Sequence, residues 1–296
     1  MTDAKTILVT GASSGIGKGI ALRFGREGWR VALVARREAK LQEVAAAISD
    51  AGGEPHVIVA DLSQEGAPDR VVATAIEALG GIDVLVNNAG MGNFQSAEEI
   101  SDAAYEAQFR LNVWACMAMV RAIVPHFRER GGGQLVNIGS VVGYIGYPKA
   151  AIYTSTKWAL RGLNETWREE LYPDGIKCAY VAPGYVITGF NDRDEQGTAE
   201  EREWALFPED AAHAVWCIAT QGPHSDIKAI IIQVQDRSCW VNGACGFVFV
   251  DACRVFSTVI RPGVRRGASA CAAGCATAAT ARSRRLPGVL RSRSRR

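Results

Sequence analysis

Apolar residues fall along this chain in two rhythms that take turns. Residues 6–10 (Thr-Ile-Leu-Val-Thr) form a short apolar run that reads as a buried strand, and Gly11 to Gly17 is a loop opening a helix that runs to about Gly28. Residues 30–35 read as a second strand; Leu41, Val44, Ala45 and Ile48 then recur with a 3.6-residue period until Gly52-Gly53 stops the helix. The alternation continues with strand 57–60, helix 67–79, strand 82–86, a long helical stretch over 101–130, strand 134–138 and helix 151–171. Strand 177–181, a polar loop, helix 209–220 and strand 229–234 complete it. Seven strands alternating with six helical regions predict an α/β fold, a doubly wound parallel sheet with helices on both faces. Such sheets bind ligands beyond the carboxyl ends of their strands, so those ends are where chemistry is expected.

Composition and charge alter this picture only at the carboxyl end. The 296 residues are 48% apolar and 22% charged, enough for a sizeable globular core. Of a net charge of +2, residues 239–296 contribute eleven Arg and one Asp, so that segment carries +10 and residues 1–238 carry −8. Cys116, Cys178 and Cys217 are spread through the body, whereas Cys239, Cys245, Cys253, Cys271 and Cys275 crowd the last segment. Scattered thiols fit a reducing compartment, and Met1 to Lys5 leads at once into the first strand without the apolar segment of a signal peptide, so a cytoplasmic protein is expected. Residues 1–238 are expected to form one domain, and 239–296 an Ala/Arg/Cys-rich tail, largely disordered and without a selected role. Within the tail, Val241 to Ile260 is interrupted by Asn242, Asp251 and Arg254, which makes a poor membrane span. Cys271 and Cys275 lack the second pair or nearby His of a zinc site. Neither nucleic acid nor a membrane is expected as a partner.

The loop Thr10-Gly11-Ala12-Ser13-Ser14-Gly15-Ile16-Gly17 joins the first strand to the first helix, where backbone N–H groups and the helix dipole favour a phosphate. Gly11, Ser13, Ser14, Gly15, Ile16 and Gly17 are therefore candidate cofactor contacts. A nucleoside-triphosphatase loop is disfavoured, because position 12 is Ala and Gly19 follows Lys18. In dinucleotide folds an acid about 20 residues further on binds the adenosine ribose, whereas an arginine there suits a 2′-phosphate. Here the second strand ends in Arg36-Arg37, and guanidinium forks match phosphate geometry, so NADP(H) is expected over NAD. Asp61 and Leu62, after the third strand, are candidates to bond the adenine amino group and cover the ring; a capping Asp is the alternative.

Tyr153 and Lys157 stand four residues apart in a helical run and share one face. A nearby positive charge stabilises phenolate and lowers a pKa that is ordinarily about 10, which makes Tyr153 a candidate acid or base. Of the seven tyrosines only Tyr153 has a lysine at that distance. Tyr144 and Tyr147, between Ser140 and Tyr153, are candidates for a substrate pocket. His56, His126, His213 and His224 show no metal-ligand spacing, and no metal site is proposed.

The glycine loop, Asn87-Asn88-Ala89-Gly90 after the fourth strand, Ser140 after the fifth, Tyr153 with Lys157, and Pro183-Gly184-Tyr185-Val186-Ile187-Thr188 after the sixth closely resemble the short-chain dehydrogenase/reductase family. The resemblance covers residues 5 to about 236 and implies a Rossmann-like single domain. It implies that Tyr153 gives or takes a proton, that Ser140 bonds the substrate oxygen, and that Lys157 lowers the tyrosine pKa and holds the nicotinamide ribose. Asn112 would support a water-linked proton path. Pro183, Gly184, Val186 and Thr188 would meet the nicotinamide carboxamide, and the backbone of Asn88, Ala89 and Gly90 would line the cofactor pocket. The Asn87 and Asn88 side chains are expected to brace the sheet. Hydride chemistry belongs to the cofactor, so the protein's task is to orient a carbonyl and stabilise its oxygen, for which two hydroxyls and an ammonium are suited. The expected activity is NADP(H)-dependent interconversion of a small-molecule carbonyl and a secondary alcohol. An NAD-linked alcohol or hydroxysteroid dehydrogenase and a non-catalytic dinucleotide sensor are the alternatives. Residues 189–207 are expected to form a substrate lid. The helices bearing Trp114, Met117, Met119, Trp158 and Trp167 are expected to join copies into a homodimer or homotetramer.

Overall fold

The computed structural model describes residues 4–190 and 194–234, so the expectations for the 239–296 tail lie outside the described residues. Strands β1 (Thr6–Thr10), β2 (Arg30–Ala35), β3 (Glu54–Val59), β4 (Val84–Asn87), β5 (Gly133–Ile138), β6 (Ile176–Pro183) and β7 (Ala229–Ile232) form one sheet in the order β3-β2-β1-β4-β5-β6-β7. Every neighbouring pair is parallel. The helices are α1 (Gly15–Arg26), α2 (Glu38–Asp50), α3 (Ala67–Leu79), α4 (Asp102–Phe109), α5 (Ala115–Glu129), α6 (Ala151–Leu171), α7 (Glu201–Trp204) and α8 (Pro208–Ala219).

Alternation along the strands divides the core into two layers. Ile7 and Val9 of β1 pack with Ile20 and Phe24 of α1, Leu41 and Val44 of α2, and Val215 and Ile218 of α8. Leu8, from the same strand, faces the other way, into the layer of Val71 and Ala75 of α3, Met119 and Ile123 of α5, and Leu160 of α6. Each fully buried Leu, Ile or Phe side chain contributes about 1.5–3 kcal/mol, so these two layers, more than helix propensity, hold the helices on the sheet.

The chain runs outward from β1 through β2 and β3 and then crosses back to place β4 on the other side of β1, which opens a crevice at the carboxyl end of β1. The registers Thr10↔Val34, Val9↔Val86, Asn87↔Asn137 and Ile138↔Val181 bring the strand ends to one edge. Those ends carry the motifs picked out from the sequence.

Two regions differ from expectation. The long helical stretch is broken at Arg110–Trp114 by a π-helical turn. The wider turn admits a tertiary clamp: Asn112 Nδ2 donates to the Met91 carbonyl (2.8 Å) and to Thr156 Oγ1 (3.1 Å), while its Oδ1 accepts from the Met91 N–H (2.8 Å). The region read as a polar loop contains α7, held by a reciprocal pair in which Thr198 N donates to Glu201 Oε2 (2.8 Å) and Glu201 N donates to Thr198 Oγ1 (3.1 Å).

Candidate active site

The first turn of α1 has no side-chain cap and no acidic residue, so its N–H groups suit an anion. Gly15 sits at φ +53°, and a Cβ on Gly17 would lie 2.3 Å from the Gly11 carbonyl oxygen, so the loop closes over α1 only with glycine there. Asn88 clamps the loop from β4: its Nδ2 donates to the carbonyls of Thr10 (2.9 Å) and Gly11 (3.3 Å). The N–H groups of Asn88 and Ala89 donate to Thr10 Oγ1 (2.9 and 3.0 Å). Asn87 Nδ2 donates to Asn137 Oδ1 (3.0 Å), joining β4 to β5. Arg37 lies over the loop, its Nη2 donating to Ser13 Oγ (3.0 Å) and Ser14 Oγ (2.7 Å). Asp61 takes hydrogen bonds from the N–H (3.0 Å) and hydroxyl (2.7 Å) of Ser63. Burial disfavours its charged form, but the Ser63 bonds and the Arg36 guanidinium outweigh it and hold the carboxyl below its ordinary pKa.

A cleft of about 950 Å³, a size that suits a large ligand, runs along this edge. Arg36, Arg37, Asp61 and Leu62 line one end, Gly11, Ser13 to Ile16 and Asn88 to Gly90 the middle, and Ser140, Tyr153, Lys157, Pro183, Gly184, Val186 and Thr188 the rest. Of the residues picked out from sequence, Gly17 and Asn112 stand apart from its walls. Gly17 is buried behind the loop, and Asn112 lines a separate cavity of about 10 Å³ with Thr10, Asn87, Cys116 and Lys157.

Ser140, two residues beyond β5, is in extended backbone and its Oγ accepts from the Val142 N–H (3.3 Å). α6 presents Tyr153 beside it, near enough for the Ser140 hydroxyl to favour the ionised phenol. Lys157, one turn on, is buried and donates to the Ile138 carbonyl (3.0 Å), its Nζ 5.6 Å from the Tyr153 ring centre. Burial dominates both groups. It pushes the Tyr153 phenol up to about 12, with the Ser140 hydroxyl acting against the rise, and it pulls Lys157 down to about 8. Burial of the phenol thus outweighs the lowering expected from the helical spacing, and the Lys157 ammonium is bonded to a backbone carbonyl.

Several residues here carry no signal in the sequence. Tyr180 of β6 is fully buried beneath the site, and its hydroxyl donates to the Lys157 carbonyl (3.2 Å). Gly139 and Gly143 make the slot for it, since a Cβ on either would lie 1.9 or 2.3 Å from Tyr180 atoms. Phe94 and Phe190 flank the Tyr153 ring, with centroids at 5.5 and 5.7 Å. Tyr147 lines the cleft as expected, but Tyr144 turns away to pack on Tyr180 (6.0 Å) beneath the Arg161 guanidinium (4.0 Å). His126 Nε2 accepts from the Ile82 N–H (3.0 Å), a structural role. Among the described residues no group of His, Cys, Asp and Glu is placed to hold a metal.

Comparison with known proteins agrees with this architecture. Residues 5–199 match the family model described as short chain dehydrogenase. An uncharacterized oxidoreductase of Methylorubrum extorquens is 37% identical over 243 residues, covering 81% of this chain and 94% of that one. A metagenomic short-chain oxidoreductase solved in complex with NADP superposes with a TM-score of 0.69 at 33% identity, over 79% of this chain and 98% of that one. The 3-ketoacyl-(acyl-carrier-protein) reductase of Brucella melitensis, solved with NADH, gives 0.71 at 29% identity, over 78% and 97%. The chain belongs to the short-chain dehydrogenase family, oxidoreductases that act on CH–OH and C=O groups with a nicotinamide dinucleotide.

Proposed function

We propose that this protein reduces a carbonyl compound to the corresponding alcohol with NADPH, and runs the reverse oxidation with NADP. The observation that carries the reading is the hydroxyl pair of Ser140 and Tyr153, side by side in the wall of the cleft with the Lys157 ammonium buried one helical turn away. The uncapped first turn of α1 and the close approach that Gly17 permits fit a pyrophosphate. The pair Arg36 and Arg37 at the end of β2 fits a 2′-phosphate. Pro183, Gly184, Val186 and Thr188 would meet the nicotinamide end, and Asp61 and Leu62 the adenine. When bound, the dinucleotide supplies or accepts the hydride.

The chain's own residues handle the oxygen. Ser140 donates a hydrogen bond to the carbonyl oxygen and Tyr153 donates a second that becomes proton transfer as the carbon takes up hydride, giving the alcohol. Lys157 offsets the charge left on the phenolate. Asn112 holds the π-helical turn against Met91, which shapes the cavity of about 10 Å³ beside Lys157, room for about one water through which the tyrosine regains its proton. Titration calorimetry separates this from NAD-linked chemistry: NADP is expected to bind at least tenfold tighter than NAD, with the advantage lost in the Arg36→Ala, Arg37→Ala double variant. Tighter NAD binding overturns the cofactor assignment.

A further inference from the structure

We infer that the carbonyl compound is a bulky, uncharged ketone carrying a flat aromatic ring close to the reacting carbon. This rests on the reductase reading above and goes beyond it by naming the substrate class. The observation behind it is the aromatic clamp on Tyr153. The Tyr153 ring lies between Phe94 (5.5 Å, planes inclined 49°) and Phe190 (5.7 Å, 53°). A carbonyl whose oxygen reaches the hydroxyls of Ser140 and Tyr153 must lay its substituents against those two rings. Both are held in place by backbone. The bridge Gln95↔Ala150 ties the Phe94 segment to the start of α6, and the Phe190 N–H donates to Thr188 Oγ1 (3.3 Å). Met91, Val142, Ile145 and Tyr147 extend the apolar wall. Phe94 and Tyr147 are 43% and 44% exposed, large apolar surface left facing the cleft.

Charge points the same way. Among the described residues, Arg36, Arg37, Asp61 and Lys157 are the charged side chains lining the cleft. The first three lie at the adenosine end, and Lys157 is buried with its ammonium on the Ile138 carbonyl. Among the described residues, a carboxylate or phosphate on the substrate would enter an aromatic slot with no exposed cation to meet it, and an unpaired charge is costly to desolvate. Ring faces, by contrast, gain offset and edge-to-face contacts with Phe94 and Phe190.

The test is kinetic, on the full chain with NADPH, using acetophenone and beta-tetralone against acetone, pyruvate and para-acetylbenzoate. The ring ketones are expected to exceed each of the other three in kcat/KM by about tenfold or more. Phe94→Ala and Phe190→Ala are each expected to raise KM for acetophenone about fivefold or more, and Phe94→Tyr to restore it. NADPH fluorescence reports that each variant is folded, and Phe94→Leu serves the same comparison where the alanine variant loses NADPH binding. Faster reduction of pyruvate or para-acetylbenzoate overturns the substrate class and leaves the reductase reading standing. Alanine variants with an unchanged acetophenone KM overturn the clamp. No reduction of any member overturns both.

Discussion

At the scale of single residues, burial decides more than spacing does. Tyr153 and Lys157 were legible because a 3.6-residue period puts them on one face, but the period says nothing about how deeply α6 sinks against β5. The consequence is a pH dependence. Lys157 is held at about 8 in the folded chain against the 10.5 of an ordinary lysine, so between those values the unfolded state holds more protons and stability rises with pH. Below about pH 8 the penalty for the buried ammonium is present in full. Tyr153, raised toward 12, acts in the opposite direction only above its ordinary 10. Denaturant unfolding of the wild type and Lys157→Met is therefore expected to show the wild type gaining on the order of 1–2 kcal/mol relative to the variant between about pH 7.5 and about pH 9.5. A difference that is flat in pH contradicts the burial of the ammonium. Tyr180 was invisible in the sequence because it reads as one more residue of a buried strand. Tyr180→Phe removes the hydroxyl that donates to the Lys157 carbonyl, and a loss of about 1 kcal/mol in unfolding free energy is expected.

At the scale of elements, the strands and most helices followed from pattern because each buries a regular face. α6 spans Ala151–Leu171, as its period requires. The π-helical turn at Arg110–Trp114 did not follow, since Arg-Leu-Asn-Val-Trp contains no Gly or Pro and the break comes from Asn112 reaching Met91 and Thr156 elsewhere in the chain. Asn112→Leu should leave that clamp unmade and the Met91 N–H and carbonyl unpaired, destabilising the chain by about 1–3 kcal/mol and loosening the floor of the Lys157 cavity. Thermal unfolding checks it, and an unchanged midpoint contradicts it. The pairing of β5 with β6 leaves a slot for Tyr180 only because positions 139 and 143 are glycine. Gly139→Ala is expected to cost about 1–3 kcal/mol or more by overpacking, read from the same unfolding curves.

At the scale of the whole molecule, the parallel sheet gathers residues that sequence distance keeps apart. Phe94, Tyr153 and Phe190 come from three separate connections, so their meeting depends on strand order, which no local pattern states. Met117 and Trp158 are 43% and 49% exposed on α5 and α6, apolar surface that favours association of copies. Light scattering is expected to give a dimer or tetramer, and a monomer contradicts that reading. The claim at the centre of the account is that Tyr153 passes the proton in an NADPH-driven reduction. The most direct measurement is the loss of NADPH absorbance with beta-tetralone, comparing the wild type, Tyr153→Phe and a chain ending at Ser238. The account predicts that kcat falls by about 10²–10⁴ in the phenylalanine variant with NADPH binding retained, and that the shortened chain works as the wild type does. A Tyr153→Phe protein that turns over at the wild-type rate would contradict it.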